Sequence, residues 1–413
     1  MIEGQNLESE VRSYSRSFPT TFSEGRGARL TDIEGRTFID FLSGCGSLNY
    51  GHNPPTLASA LQNYITRGGL AMSMDMATSA RQEFLQTFHS TILEPRGLNY
   101  RMQFPGPTGA NAVEAAIKLA RKVTRRTNIV GFTNAFHGCS LGALAITGNS
   151  HHRAASSSLL TGVTRMPYEG YYGPDVDTAA MLEKLLSDPS SGIDQPAAII
   201  LEMIQGEGGL NTASVEWIRR ISNIAHKNDC LLIVDDIQAG CGRSGDFFSF
   251  GEAGITPDIV CLAKAISGFG LPMSLLLLKP EIDVWEPGEH NGTFRGNNHA
   301  FVTATAALNT YWSDPGFRSM LSDNCDLLNE RMSALAAKFN IKMLGRGMMR
   351  GLVIKDAPMA TRIRSTCFAK GLIVETCGGH DNILKFLPPL NVSHDVINEA
   401  FSVVEYALIE SLS

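Results

Sequence analysis

The sequence predicts an α/β fold, with a mostly parallel central sheet in a large domain and a smaller α+β domain built from both chain ends. Three observations lead there. Short runs of Ile, Val and Leu recur at residues 128–132, 197–201, 231–234, 259–262 and 274–278. Lacking polar alternation, they suit strands buried on both faces. Between them lie stretches with helical spacing: Trp217, Ile218, Ile221, Ile224 and Ala225 within 214–228, and Val113, Ala116, Ile117 and Ala120 within 110–122. Alternation of this kind marks a parallel sheet with crossover helices.

The two ends read differently. Residues 28–41 form a hairpin pattern, with Ile33-Glu34-Gly35-Arg36 as its turn. The last third carries helical stretches near 300–312, 315–338 and 394–411 and short strands near 351–354 and 384–386. We therefore expect residues 1–57 to be the N-terminal segment of the small domain, 58–297 the large domain, and 298–413 the remainder of the small domain. A chain of 413 residues is long enough for that many cores.

Composition excludes several functions. A net charge of −6 opposes a nucleic-acid surface. The basic cluster Arg121, Lys122, Arg125 and Arg126 ends a helical stretch, where cations complement the helix dipole. Residues 1–8 are acidic and lack the apolar core of a secretion signal, and no apolar run approaches the ~20 residues that span a bilayer. The eight cysteines show neither a C-x-x-C pair nor metal-ligand spacing. We expect reduced thiols, no metal site and a cytoplasmic location.

Candidate chemistry begins at Asp235 and Asp236, which end the apolar run Leu231-Leu232-Ile233-Val234. Open α/β sheets bind ligands at that end, and a carboxylate there can hold a pyridine nitrogen protonated. The alternative is a loop or helix cap. Lys264 ends the next apolar run, among small residues and followed by glycine; a desolvated lysine there is a nucleophile or base. The turn Phe104-Pro105-Gly106-Pro107-Thr108-Gly109-Ala110-Asn111 opens a helix and offers free N–H groups to a phosphate, the alternative being an ordinary cap. His137, between Phe136 and Gly138, is a candidate site residue, with core packing as its alternative. His151 and His152 are adjacent, cannot share a helix face, and read as solvated.

Together these segments resemble the class III (ω-amino acid) aminotransferases of pyridoxal-phosphate (PLP) fold type I, over nearly the whole chain. The resemblance implies that Lys264 holds PLP as a Schiff base. Asp235 would pair with the ring nitrogen, Gln238 would bond the phenolic oxygen, and Phe136 would stack on the ring. Thr108, Gly109 and Ala110 match the phosphate-cradling turn. Thr293, in His290-Asn291-Gly292-Thr293-Phe294-Arg295-Gly296, matches a threonine that reaches the partner subunit's phosphate, which implies a homodimer or higher homo-oligomer with shared sites. Glu202 and Glu207 match a Glu-Pro-x-x-Gly-Glu loop, with Met203 in place of proline.

A closer resemblance is to the diaminobutyrate–2-oxoglutarate transaminases of ectoine synthesis, carried also by the segments 10–19 and 48–53. It implies small amino and keto acid substrates: glutamate as donor, and aspartate 4-semialdehyde as acceptor. One position departs from the wider family. Where an arginine before the Pro-Pro pair clamps the substrate's carboxylate, this chain has Lys385, which keeps the charge and loses the planar grip; a clamp and a surface residue are both open readings of it. The fold also serves ornithine and 4-aminobutyrate transaminases and, fused to a DNA-binding domain, PLP sensors.

Overall fold

The computed structural model describes residues 7–412, so most of the acidic opening segment lies outside the described residues. Seven strands form the central sheet: β1 (Arg101–Gln103), β2 (Ile129–Phe132), β3 (Val163–Met166), β4 (Ala198–Leu201), β5 (Leu231–Asp235), β6 (Ile259–Leu262) and β7 (Leu275–Leu278). Their spatial order is β1-β7-β6-β5-β4-β2-β3. β3, β2, β4, β5 and β6 run parallel, while β7 is antiparallel to both β6 and β1.

Successive residues of the sheet enter opposite cores, as the unbroken apolar runs require. Ile233 and Cys261 pack on the side of the helix Gly109–Thr124, with its Val113, Ile117 and Leu119. Leu232, Val234, Val260 and Leu262 face the other side, with Trp217 and Ile221 of the helix Val215–Lys227. Each such side chain contributes ~1.5–3 kcal/mol on burial. Both helices start on an N-cap hydroxyl: Ser214 Oγ accepts from the Trp217 amide, and Thr108 Oγ1 from that of Asn111.

The expectation for 274–278 needs one correction, since β7 runs against its neighbour. Only twelve residues, 263–274, join it to β6, and their helical structure is one short 3₁₀ turn, Lys264–Ser267; without a crossover helix, the chain returns alongside. β1 and β3 went unread because they are short and carry Arg101, Thr164 and Arg165 in place of an apolar run.

At the ends, the predicted hairpin is present as Arg29–Asp32 and Thr37–Asp40, joined by Phe22–Arg26 on one side and by Leu372–Ile373 on the other. A second sheet comprises Met343–Arg346, Met349–Val353, Ile383–Phe386 and Glu375–Cys377, in that order. In it Glu375 is directly opposite Lys385. All eight cysteines are unbridged, and among the described residues no helix is long and apolar enough to cross a membrane.

Candidate active site

The carboxyl ends of the parallel strands converge on one cavity of about 160 Å³, lined by Gly109, Ala110, Phe136, His137, Glu202, Glu207, Asp235, Gln238 and Lys264 among others. Asp235 is the last residue of β5, Glu202 follows β4 directly, and Lys264 lies two residues beyond β6. Lys264 has φ +50°, a conformation that side chains other than glycine adopt at a cost.

The Asp235 carboxylate is held from two sides. Its Oδ2 accepts from His137 Nδ1 at 2.7 Å, and its Oδ1 accepts from the Ile237 amide at 3.2 Å. The carboxylate therefore caps its loop and also presents a buried charge to the cavity. Burial alone would lower the His137 imidazole, yet the hydrogen bond and charge of Asp235 hold it above its ordinary value. Glu202 accepts from the Phe136 amide at 3.0 Å, and burial keeps its carboxyl above the usual range. Asp236, by contrast, points away to the Ser249 amide.

Glu207 stands in the turn between the short paired strands Ile204–Gln205 and Asn211–Thr212. It accepts from Gln238 Nε2 at 3.0 Å and from Lys385 Nζ at 2.9 Å. Burial would raise its carboxyl, but the charges of Lys385 and Lys264 pull it down to about 2. Lys385 is fully buried, which rules out its reading as a surface residue. Burial opposes its charge, and the carboxylates of Glu207 and Glu375 more than offset that, holding the ammonium well above its ordinary range.

Two expected residues lie apart from this group. Thr108 caps its helix and is exposed, its hydroxyl bonded to Asn111 Oδ1 at 2.9 Å, so the ordinary cap is realised whatever else the turn binds. Thr293 opens an exposed 3₁₀ turn and does not line the cavity. His151 and His152 are exposed as expected, although the His152 ring packs edge-on against Phe136 at 5.3 Å.

Sequence reasoning missed Tyr14, Cys45 and Glu375. The Tyr14 hydroxyl donates to Glu375 Oε2 at 3.2 Å and also contacts Cys45 Sγ. Cys45 lies in a run of four residues with positive φ, Ser43 to Gly46, and its carbonyl accepts from Gln238 Nε2 at 3.1 Å. The bracketing glycines Gly44 and Gly46 were the available signal for that turn.

A family model described as "Aminotransferase class-III" matches residues 11–408. The chain belongs to the class-III aminotransferases. Among curated relatives of this aminotransferase, an uncharacterised aminotransferase of Sinorhizobium fredii is 53% identical over 411 residues, covering 99% of this chain and 92% of that protein. Proteins named diaminobutyrate–2-oxoglutarate transaminase from Vibrio cholerae and Virgibacillus pantothenticus are 51% and 50% identical, each alignment covering 98% of both chains. The ornithine aminotransferase of Toxoplasma gondii superposes with a TM-score of 0.85 at 24% identity, covering 99% of this chain and 93% of that one, which shows a shared fold.

The cavity fits pyridoxal phosphate, the cofactor of this family. Two buried polar atoms of its lining, His137 Nε2 and Gln238 Oε1, have no partner within the protein. Gly109 and Ala110 open a 16-residue helix, whose first N–H groups have no acceptor within the helix and suit a phosphate. A lysine, a buried carboxylate and an aromatic ring, Lys264, Asp235 and Phe136, line the same cavity.

Proposed function

We propose that this aminotransferase moves an amino group between L-glutamate/2-oxoglutarate and L-aspartate 4-semialdehyde/L-2,4-diaminobutyrate, in two half-reactions at one site. The observation that carries the reading is the convergence of Lys264 and Asp235 on one cavity, in a chain about half identical along its length to proteins named for that reaction.

Bound there, pyridoxal phosphate supplies an aldehyde that condenses with amines and a conjugated ring that accepts the electron pair left when a proton departs. Lys264 Nζ would hold the cofactor through its aldehyde carbon. As a free amine beside the substrate, Lys264 Nζ would be the base that holds and moves the proton at the substrate carbon. Asp235, fixed by His137, would keep the pyridine nitrogen protonated. Gln238 would bond the phenolic oxygen, Phe136 would cover the ring, and Gly109 and Ala110 would hold the phosphate with Thr108. Glu202 fixes the Phe136 backbone.

Lys385 meets the α-carboxylate of glutamate once Glu207 moves off it. With an ω-amino substrate Glu207 stays paired, so one site takes both. Thr293, exposed and outside the lining of this chain's own cavity, serves the phosphate of a second copy in a homodimer, or a larger assembly. The unbridged cysteines support a reducing, cytoplasmic setting.

The test follows the visible spectrum of the bound cofactor as single donors are added. Glutamate and diaminobutyrate should each convert it, and ornithine or 4-aminobutyrate should do so much more slowly. Faster conversion by ornithine or 4-aminobutyrate would reassign the substrate. Lys264→Ala should abolish turnover, and normal cycling by that variant would end the assignment. For the assembly, a catalytically competent monomer in sedimentation would remove Thr293 from its role.

A further inference from the structure

Lysine brings a point charge on a flexible stem where arginine would bring a rigid planar fork. A clamp built on Lys385 therefore needs something else to fix where its charge stands. Glu375 is placed to do this. It faces Lys385 directly across the strand pair Glu375–Cys377 and Ile383–Phe386, and its Oε1 lies 2.9 Å from Lys385 Nζ, the same distance as Glu207 Oε1 on the other side.

The two carboxylates are held differently. The Glu375 side chain is 6% exposed and its Oε2 is tied to the Tyr14 hydroxyl. The Glu207 side chain is 33% exposed, sits in a turn and lines the cavity. Glu207 is the one a substrate can reach, although it also accepts from Gln238 Nε2. Further, among the described residues the only polar group at Glu375 Oε1 is the Lys385 ammonium, 2.9 Å away. Departure of Glu207 thus leaves the ammonium its contact with Glu375.

We propose that Glu375 is a positioning residue, holding the Lys385 ammonium in place while Glu207 is exchanged for a substrate carboxylate. This rests on the aminotransferase reading above. A buried ammonium stripped of every carboxylate is strongly unfavourable. With Glu375 fixed, the exchange swaps one carboxylate for another around a lysine that is never unpaired. An ω-amino substrate leaves Glu207 where it is and makes no such demand. Glu375 therefore acts in the glutamate half-reaction and is nearly idle in the diaminobutyrate half-reaction.

Half-reactions of the Glu375→Ala holoenzyme, followed in the cofactor spectrum, test this. KM for glutamate should rise about tenfold or more, as expected for one lost charge-assisted contact, with diaminobutyrate affected less than about threefold. Calorimetry should show glutarate, an unreactive dicarboxylate, weakened to a similar degree. In a Lys385→Arg background, where the guanidinium brings its own two-pronged geometry, Glu375→Ala should cost glutarate affinity less than about threefold. Equal damage to both half-reactions would mark Glu375 as merely structural and overturn the proposal, as would wild-type glutarate affinity in Glu375→Ala. Should that variant not fold, Glu375→Gln carries the same test, keeping the volume and losing the charge. A wild-type enzyme that reacts with neither amino donor would defeat the functional reading instead, and the glutarate titration would still decide the role of Glu375.

Discussion

Asp235 ends β5 and Asp236 follows it, both buried but with different partners, and replacing Asp236 with asparagine separates their roles. Asp236 is 1% exposed; its Oδ2 accepts from the Ser249 amide at 3.1 Å and its Oδ1 has no partner. Burial raises this carboxyl, hydrogen bonds from Ser249 only partly offset that, and the charge of Asp235 adds to it, so the group moves from 3.8 up to about 7. A folded-state pKa above the unfolded one means that the folded protein binds the proton more tightly. The penalty is therefore absent below about pH 3.8, grows as the pH rises, and is complete above about pH 7. At ~1.4 kcal/mol per pH unit the gap is worth ~4 kcal/mol. Asparagine never ionises and keeps an oxygen for Ser249, but its NH₂ lacks an acceptor, which costs ~1–3 kcal/mol. Asp236→Asn should then destabilise by ~1–2 kcal/mol near pH 4 and stabilise by ~1–3 kcal/mol near pH 8. Urea titrations near pH 4, 6 and 8 measure the difference. Turnover of Asp236→Asn should stay within about threefold of wild type, while Asp235→Asn loses most of it. A stability change identical at every pH would refute the buried-acid argument, and a loss of turnover as deep as that of Asp235→Asn would show the two carboxylates to have been told apart wrongly.

Three further outcomes follow from the geometry. Arg243 is fully buried, with burial lowering its guanidinium to about 9, and it donates to the carbonyls of Met348 and Pro388 and to Asn49 Oδ1; Arg243→Met leaves those acceptors bare and should cost ~3–5 kcal/mol in denaturant unfolding. His137→Phe removes the donor 2.7 Å from Asp235 and should lower turnover ~10–100-fold with the cofactor still bound, as its absorbance would report. Gly206→Ala would put a methyl 1.7 Å from Gln238 Oε1; the displaced amide should weaken cofactor retention on dialysis while the far-UV spectrum stays unchanged.

The fold was legible where burial on both faces leaves a bare apolar run. β2, β4, β5 and β6 fall within a residue of the expected runs, since nothing but a buried strand suits Ile-Ile-Leu or Leu-Leu-Ile-Val between turn residues. Direction is not written into such a run, and the four leucines of β7 read alike either way; orientation came from the length of the connection. The edge strands β1 and β3 depend on a neighbour's hydrogen bonds more than on their own apolarity, so their sequences are unremarkable.

For the site, strand ends were the readable part. Asp235 and Lys264 were legible because a charge at or just past the end of a buried strand has a position fixed by the sheet, and β5 and β6 are neighbours in it. The opposite limit is Lys385, a charge in the middle of Ile383-Leu384-Lys385-Phe386. Period-2 alternation would put it on a solvated face, yet the residue is wholly buried. What makes burial tolerable is a pair of carboxylates, one ten residues away on the adjacent strand and the other in a turn 178 residues away in sequence. No local pattern records either, because the cost of a buried ammonium is met by partners that only tertiary structure delivers. The same holds for the left-handed turn from Ser43 to Gly46: its two side chains at positive φ are strained locally and persist because Cys45 is tied to Gln238 and Tyr14. Residues whose local conformation or burial is unfavourable, and which distant partners rescue, are thus the ones that sequence hides. Here they surround the clamp, where one site must admit two differently charged substrates.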